Sequence, residues 1–557
     1  GDLSDPAIRD QALRIRRDLA RARTRNGRYE DAEQDWLALL KEAQDGGDQV
    51  AEAHALRHLG LLRYWRGRHS EALELLDDAR SAAPEDDPGL RARIELAAGL
   101  AYQELGRARE SRDRIQEALD YATLVGNDGL LARVHRALAL VNTWIGKAEE
   151  AREHGRKAVE LGGAAEDLAV VFWGQWALAS LEGLVGGPDP MEPWLRAART
   201  TAESLGSPLL ELWVDELALE FTYFSGRWDE ALALGTRAME RARMLNQRAL
   251  LVRLLTWTSS VYIGRGDLEQ AGALVEEACA LAGIRNGSAP DTPDVHVAVP
   301  ALIGRAALFM GHQEYQKALD AGKAGLAMAE ASGYVIWVIH RLLPVVGEAQ
   351  ILLQDLEGAA RSIARLRQEG ERMNHRLSLV WATAGEALLT WHRGDVETAA
   401  GMLAEAADTM EEIGIVFDTA RLRRQYAGRL AELGKRQEAL AELRRVHKVF
   451  KELGAEPEYQ KARIMFDELN TPRPTELGAA SGGPHALSLR RYQVAALVAR
   501  RMSNKEIADT LDIKVRTVTT HLSAIYQILE IGGSDASKRT RLGDMIREGR
   551  IQPPEGA

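Results

Sequence analysis

The chain repeats a short motif at a nearly constant interval of 40 residues, and this period constrains the fold more than any other feature. The motif is a glycine followed, in most copies, by an alanine five residues later, as in "RGRHSEA" and "SGRWDEA". Its glycines are Gly27, Gly67, Gly106, Gly146, Gly226, Gly266, Gly394 and Gly434, with a degenerate copy near Gly186 and further copies at Gly311 and Asp355. A series of unrelated helical hairpins would not keep this spacing.

Each unit is interpreted as a pair of antiparallel helices. An amphipathic stretch ends at the glycine, which can adopt the left-handed conformation of a helix C-cap, and a second helix begins two or three residues later. The small alanine lets the two helices approach closely. An aromatic residue often precedes the glycine and is expected to pack between the helices, as for Trp65, Trp144, Tyr223, Tyr262 and Trp391.

This pattern resembles tetratricopeptide repeats, in a version longer than the usual period of about 34 residues. The resemblance covers roughly residues 10–468 and implies an all-α superhelical array with a concave binding face. The composition agrees, since Leu, Ala, Glu and Arg favour helices and aromatics make up only 6%. The stretch 283–294 interrupts the period and is predicted to be a loop, either a cap over a ligand site or a tolerated surface insertion.

Several classes of function are disfavoured by what the sequence contains. The single cysteine, Cys279, cannot form an internal disulfide and favours a reducing, cytoplasmic compartment. No run of about 18 uncharged apolar residues indicates a membrane span. The histidines are scattered, and no nucleophile–base pair or metal-binding cluster can be defended. We therefore expect no catalytic residue, no metal, no cofactor and no membrane partner.

The end of the chain differs from the rest. After a Pro- and Gly-rich stretch, residues 485–557 hold twelve Lys and Arg against eight Asp and Glu, a net charge of +4. The whole chain carries −11, so the remainder carries −15. A basic end on an acidic body is typical of a nucleic-acid-binding domain on a carrier. We predict a repeat domain at 1–470, a flexible linker at 471–486 and a DNA-binding domain at 487–550.

The stretch "SNKEIADTLDIKVRTVTTHLSAIYQIL" predicts two helices joined by a sharp turn. Ser503 and Glu506 form a capping box at the start of the first helix. In the second helix the inner face is predicted to hold Val515, Val518, Leu522, Ile525 and Leu529, and the outer face Arg516, Thr519, Thr520, Ser523 and Gln527. An outer face of short hydroxyl side chains and one arginine can lie in a DNA major groove.

These residues resemble the C-terminal helix-turn-helix of LuxR-type (GerE-like) transcription regulators over about 60 residues. The resemblance implies that Lys505 holds phosphate, that Thr519, Thr520 and Ser523 read bases, and that Arg516, Thr517 and His521 lie near the DNA backbone. It also implies a final helix at about 535–547 that helps the domain dimerise on DNA. The two alternatives are a three-helix bundle used only for protein contacts and region 4 of a sigma factor.

The sequence departs from the family pattern at several positions. The family usually has glutamate at Arg491, glycine at Arg501 and serine at Lys514, so the third helix here lacks its normal N-cap. It commonly has a basic residue at Thr519 and a basic pair near Gln527. Fewer positive charges indicate weaker non-specific DNA affinity or a different operator.

A helical array followed by this domain resembles the large LuxR-type regulators of the MalT kind. Those regulators carry an upstream nucleotide-binding domain, and no G-x-x-x-x-G-K-[ST] motif occurs here. The chain begins at Gly1 without Met, so we expect that the natural protein extends upstream. Either that domain precedes this chain, or the protein switches without nucleotide.

Aromatic residues gather in the middle of the array, with charged residues such as Glu216, Glu220, His340 and Arg341 on the same segments. They favour a pocket for a small molecule or peptide, although each tryptophan alone is as well explained by helix packing. The candidate effector-binding residues are Trp173, Trp176, Trp213, Arg253, Trp257 and Trp337.

Together these features predict a bacterial transcription regulator that binds double-stranded DNA as a homodimer or higher oligomer. Its array senses an effector, and RNA polymerase is a further expected partner. The alternative is an interaction scaffold whose C-terminal domain only localises it.

Overall fold

The computed structural model of the protein describes residues 6–25, 28–284, 294–470, 487, 489–511, 513–529, 531–548 and 550–551. Every regular element in these ranges is an α-helix. The chain divides into two compact units, 1–466 and 467–557. The fold class is therefore all-α, as predicted. The insertion at 285–293 and the predicted linker at 471–486 lie outside the described residues.

The first unit contains 23 helices arranged as successive hairpins. They are α1 Pro6–Arg25, α2 Tyr29–Gly46, α3 Gln49–Trp65, α4 His69–Ala82, α5 Pro88–Glu104, α6 Ala108–Val125, α7 Asp128–Trp144, α8 Ala148–Ala164, α9 Leu168–Gly186, α10 Pro188–Ser204, α11 Pro208–Phe224 and α12 Trp228–Met244. They continue as α13 Arg248–Arg265, α14 Leu268–Leu281, α15 Val295–Gly311, α16 Tyr315–Ser332, α17 Ile336–Leu352, α18 Leu356–Met373, α19 Arg376–His392, α20 Val396–Ile413, α21 Val416–Glu432, α22 Arg436–Leu453 and α23 Glu456–Asn470.

The structure shows the roles that were predicted for most of the motif residues, namely burial of the alanine and a left-handed backbone at the glycine. Most motif alanines from Ala32 to Ala439 are fully or almost fully buried between helices, whereas Ala360, five residues after Asp355, is only partly buried. Most motif glycines adopt positive φ, for example +78° at Gly146. The unit at Gly311 is an exception: Gly311 ends helix α15 against Leu268, and Gln313 takes the left-handed conformation instead, with φ +61°. The period was therefore predicted correctly there, but its turn residue was not.

Five hairpins complete one turn of the superhelix. Helix α7 contacts α17, and α9 contacts α19, so each first helix of a hairpin meets its counterpart five hairpins later. The Gln103 carbonyl on α5 accepts hydrogen bonds from the Tyr334 hydroxyl, at 3.1 Å, and lies 3.0 Å from His296 Nε2 on α15. Arg265 Nε at the end of α13 donates to the Leu453 carbonyl over 3.2 Å. Successive turns of the array are therefore packed against each other.

Glycines at the hairpin turns permit this close contact between superhelical turns. A Cβ added at Gly146 would lie 2.1 Å from Met373 Sδ, and one at Gly187 would lie 2.6 Å from the Ile413 carbonyl oxygen. Larger residues at these positions would push the turns apart. Glycine at these two positions is thus required for packing as well as for its backbone conformation, whereas a Cβ at Gly67, Gly394 or Gly434 would meet no neighbour.

The first helices of the hairpins line the interior and fill most of it. Helix α9 is apolar and long enough, by composition, to cross a membrane, but 72% of its apolar window is buried inside the array. Its hydrophobicity is that of a core helix enclosed on all sides. Cavities remain between the side chains that line this interior.

The aromatic residues before the motif glycines do not all pack as expected. Trp144 is buried and makes an edge-on contact with Tyr334, with ring centroids 5.3 Å apart. Trp65, in contrast, is 49% exposed.

The second unit contains four described helices, α24 Leu489–Ala499, α25 Asn504–Leu511, α26 Val515–Ile528 and α27 Asp535–Arg547. Its core is separate from that of the array and includes Val494, Ile507, Val518, Ile525 and Leu542, all fully buried. Helices α24, α25 and α26 form a three-helix arrangement, and α27 packs against α24.

Candidate nucleic-acid interface and central cavity

Helix α26 has one buried face and one exposed face. Val518, Leu522 and Ile525 are buried in the domain core, as the apolar spacing predicted. Val515 was expected on this inner face but is 46% exposed. Val515 is the first residue of α26, and its side chain lies outside the part of the helix that packs against the core.

A capping box fixes the start of helix α25, as predicted. The Ser503 amide donates to Glu506 Oε2 at 2.7 Å, and the Glu506 amide donates to Ser503 Oγ at 3.3 Å. These bonds to the Ser503 amide and side chain lower the pKa of Glu506 below its usual range. Helix α26 has no side-chain cap, since Lys514 occupies its N-cap position, as the departure from the family pattern implied.

Two arginines that the sequence analysis missed hold the helix-turn-helix in place. Arg490 on α24 donates to the Leu511 carbonyl at 2.7 Å, at the turn between α25 and α26. Arg539 on α27 donates to Asn504 Oδ1 at 2.7 Å and also to the Met502 carbonyl. Both pair with backbone or amide oxygens 21 to 37 residues away, so no local sequence pattern marks them.

The structure brings the candidate DNA-binding residues onto two adjoining helices. Lys505 is exposed on the first turn of α25, and the others lie along α26. Arg516, Thr517, Thr519, Thr520 and Ser523 are exposed, and His521 is half-buried. The Thr519 and Thr520 hydroxyls donate to the carbonyls of Val515 and Arg516, each at 3.1 Å.

The position of His521 keeps it uncharged near neutral pH. Partial burial lowers its pKa, and the positive charges of Arg491 and Arg490 lower it further. The neutral imidazole can donate one hydrogen bond to a phosphate oxygen of DNA.

Arg501 adopts a left-handed backbone conformation, with φ +62°, in the turn between α24 and α25. A side chain with a Cβ is strained there, which explains why glycine is usual at this position in the family that the domain resembles. We expect Arg501→Gly to be more stable than Arg501→Ala by about 1 kcal/mol, because both lose the charge and only glycine relieves the strain.

Hydrogen exchange of the α24–α27 amides in the intact chain measures this difference in the free energy of unfolding. Equal protection in the two variants would contradict the strained turn.

The central cavity lies between helices α9, α11, α13, α15 and α17 and has room for about 40 Å³ of water-sized space. Its walls combine apolar and polar groups, namely Ser180, Leu184, Glu220, Arg253, Thr256, Trp257, Pro300, Ile303, His340 and Arg341. A second cavity of similar size, about 40 Å³, is lined by residues of α17, α18, α19 and α21, including Trp381 and Arg421.

Ion pairs join the walls of the central cavity. Arg253 Nε contacts Glu216 Oε1 at 2.7 Å, and Arg341 Nη2 contacts Glu220 Oε1 at 2.5 Å. Arg341 also lies over the Trp257 ring, 3.7 Å from its centroid. Burial raises the pKa of Glu216, and the charge of Arg253 opposes that rise. The Glu220–Arg341 pair bridges 121 residues and joins α11 to α17 across the interior of the superhelix.

The candidate effector residues separate into two groups. Arg253 and Trp257 line the cavity. Trp173, Trp176 and Trp213 pack edge-on against one another, with centroids 5.2–5.8 Å apart. Trp176 is 1% exposed and donates its indole N–H to the Trp213 carbonyl, which favours a packing role. Trp337 lies on α17, but its side chain is outside the described part of the structure.

Two prolines within apolar helices mark the cavities. Pro300 lies inside α15 on the wall of the central cavity, and Pro344 lies inside α17 on the wall of the second. A proline removes one helical N–H donor and prevents ideal helix packing. These interior prolines were the signal in the sequence that could have located the cavities.

Two stacked histidines beside the central cavity make the array sensitive to acid. His375 Nδ1 accepts from the Ser378 amide at 3.1 Å and caps α19, and its ring stacks on His340 at 5.0 Å. Burial lowers the pKa of His375 from 6.5 to about 4. The unfolded chain therefore binds more protons between these values, so stability falls as the pH drops through this range.

His375→Asn keeps a capping oxygen but does not titrate. Between pH 7 and pH 5, we expect the free energy of unfolding of this variant to fall by about 2 kcal/mol less than that of wild type. Urea unfolding at both values measures this. An unchanged pH dependence in the variant would show that His375 is not a buried neutral group.

No cluster of three or more His, Cys, Asp or Glu residues that could hold a metal occurs among the residues described. The polar groups of the cavity are therefore arranged as ion pairs and hydrogen bonds.

The second unit is, by its geometry, a helix-turn-helix domain of the DNA-binding type: a capped second helix, a tight turn, and a third helix with an exposed polar face. Residues 485–535 match the family model "Bacterial regulatory proteins, luxR family". The chain thus carries a DNA-binding regulatory domain of the luxR family at its C-terminal end.

Curated relatives extend the similarity into the array. The chain is 25% identical over 279 residues to the HTH-type transcriptional regulator MalT of Vibrio parahaemolyticus, covering 49% of this chain and 29% of that protein. It is 29% identical over 194 residues to MalT of Vibrio campbellii, covering 33% and 21%. The matches thus span less than a third of these relatives' lengths.

Solved structures with similar architecture include a signal transduction ATPase with a tetratricopeptide repeat sensor from Pyrococcus horikoshii, at 16% identity and a TM-score of 0.41, covering 58% of this chain and 48% of that one. A human IFIT1 dimer is 13% identical, with a TM-score of 0.40, covering 75% and 90%.

Proposed function

We propose that this protein is a cytoplasmic DNA-binding transcription regulator in which the repeat array senses an effector and controls the C-terminal helix-turn-helix domain. The observation that carries the proposal is the luxR-family domain at 485–535, whose third helix presents an exposed polar face. The proposed domain boundaries are those predicted from sequence, 1–470, 471–486 and 487–550.

In the proposed complex, helix α26 enters the major groove. The side chains of Thr519, Thr520 and Ser523 face the base edges. Arg516 makes a bidentate hydrogen bond to a guanine or a phosphate. Lys505, Thr517 and His521 contact the DNA backbone, which fixes the register of the domain. The domain acts as a dimer or higher oligomer and recruits RNA polymerase at the promoter.

The central cavity is the proposed effector site. Its mixed walls can orient a small ligand through Arg253 and Trp257, and the space between them widens when the wall helices separate slightly. The alternative function remains that of an interaction scaffold.

The mechanism we propose is a shift between populations. The cavity walls come from the first helices of five consecutive hairpins, so a bound ligand favours one arrangement of those hairpins over another. That change alters the curvature or self-association of the array and thereby the availability of the DNA-binding domains.

Titration of the intact chain with mixed-sequence duplex DNA at several salt concentrations tests the DNA-binding function. We expect affinity to fall steeply with salt, because bound Lys and Arg release counterions from the phosphates. Absence of binding at low salt would contradict the proposal.

A thermal-shift screen of small metabolites tests the sensing function. A true effector raises the melting temperature of the wild-type array and has no effect on Ile303→Phe, which fills the central cavity. The matched variant Ile351→Phe fills the second cavity and should still respond. If only Ile351→Phe lost the rise in melting temperature, the effector site would be the second cavity.

A further inference from the structure

The exposed surface of helix α26 is unusually rich in methyl groups where a base-reading surface is expected. Val515, Thr519 and Thr520 are all exposed and lie on the first two turns of the helix. Val515 and Thr519 are four residues apart and therefore adjacent on the helix surface. The N-terminal residues of a recognition helix are those that contact base edges.

The hydroxyl groups of the two threonines are turned back onto their own helix. The Thr519 hydroxyl donates to the Val515 carbonyl and that of Thr520 to the Arg516 carbonyl. Each hydroxyl hydrogen is thus already used. What these exposed side chains offer to a ligand is a γ-methyl group and the remaining acceptor capacity of the oxygen.

Positive charge on this surface is limited to Arg516 on the helix and Lys514 at its N-cap. Arginine and lysine are the side chains that read guanine through its O6 and N7 atoms. The surface therefore has little capacity to select guanine beyond the one base within reach of Arg516.

We propose that Val515, Thr519 and Thr520 form a methyl surface that selects thymine by contact with its 5-methyl group. Thymine alone among the four bases carries a methyl group in the major groove, and apolar side chains recognise it there. This inference rests on the proposed DNA-binding function and specifies the operator: thymine at the base pairs beneath this surface, next to a base pair contacted by Arg516.

The test begins by selecting bound sequences from a random duplex pool with the intact chain. The selected site is then synthesised with uracil replacing each thymine in turn, which removes only the methyl group. We expect wild type to lose about fourfold in affinity at each contacted thymine, the loss expected for one buried methyl group.

Two matched variants separate the methyl group of Thr520 from its hydroxyl. Thr520→Ser lacks the methyl group, so it should bind thymine DNA about fourfold more weakly. At the same contacted base it should no longer distinguish uracil. Thr520→Val keeps a methyl group and should retain the thymine preference, because the hydroxyl hydrogen was not available to DNA.

Three results would overturn the inference. The selected site could lack thymine, or its affinity could be unchanged when uracil replaces thymine. Either result would leave the DNA-binding function intact and disprove recognition of the thymine methyl group. A loss of affinity in Thr520→Val with none in Thr520→Ser would show that the hydroxyl, not the methyl group, reads the base. If the chain selects no sequence at all, the proposed function itself fails.

Discussion

Replacing Arg341 by Met is expected to destabilise the repeat array by about 3–5 kcal/mol, since it leaves the Glu220 carboxylate buried without its partner. The side chains of the pair are only 12% and 7% exposed. The variant also loses the stacking of the guanidinium on Trp257 and on Phe224, where it lies 4.3 Å from the ring centroid. Urea unfolding followed by tryptophan fluorescence measures the change.

The matched control is Arg196→Met, which breaks an exposed ion pair with Glu192. That change should cost well under 1 kcal/mol. The double variant Glu220→Gln/Arg341→Met should recover much of the lost stability, because no charge then remains buried. If Arg341→Met were as stable as Arg196→Met, the buried ion pair described above between α11 and α17 would be wrong.

Replacing Arg516 by Ala is expected to weaken specific DNA binding by on the order of tenfold or more, the range for one arginine contact to a base. Arg516 is the one arginine on helix α26, and its side chain is exposed. Electrophoretic mobility shifts on a selected site measure the loss. A uniform weakening across sequences, with a smaller salt dependence, would assign Arg516 to a phosphate rather than a base.

Arg550→Ala removes the same charge from an exposed position outside the helix-turn-helix, where Arg550 pairs with Glu548. Its effect should be small and confined to non-specific affinity. Equal losses in the two variants would mean that α26 is not the reading helix.

The helix-turn-helix could be predicted almost residue by residue, because its signals are local. The capping box at Ser503 and Glu506 and the apolar spacing of Val518, Leu522 and Ile525 act within two helical turns. Val515 was assigned to the wrong face of α26. The spacing of apolar residues does not show which of them lies beyond the part of the helix that contacts the core. The clamps by Arg490 and Arg539 depend on distant backbone carbonyls, which no spacing reveals.

The array could be predicted as a superhelix of hairpins, but the number of hairpins in one turn could not. The spacing of glycine and alanine determines how the two helices of one hairpin pack. Contacts such as Tyr334 with Gln103 join residues 231 positions apart and arise only when five hairpins complete a turn. For the same reason the sequence indicated a pocket among the central aromatic residues, whereas Glu220, Arg341 and Pro300 form its walls together with Trp257.

Capture of fragmented genomic DNA by the intact chain tests the central claim most directly. Wild type is compared with Thr520→Ala/Ser523→Ala at two salt concentrations, since both hydroxyl residues are exposed on α26. The account predicts that wild type enriches a small set of discrete sites and that the double variant loses them while keeping salt-sensitive, non-specific binding. Identical enrichment by the two proteins, or none by either, would contradict it.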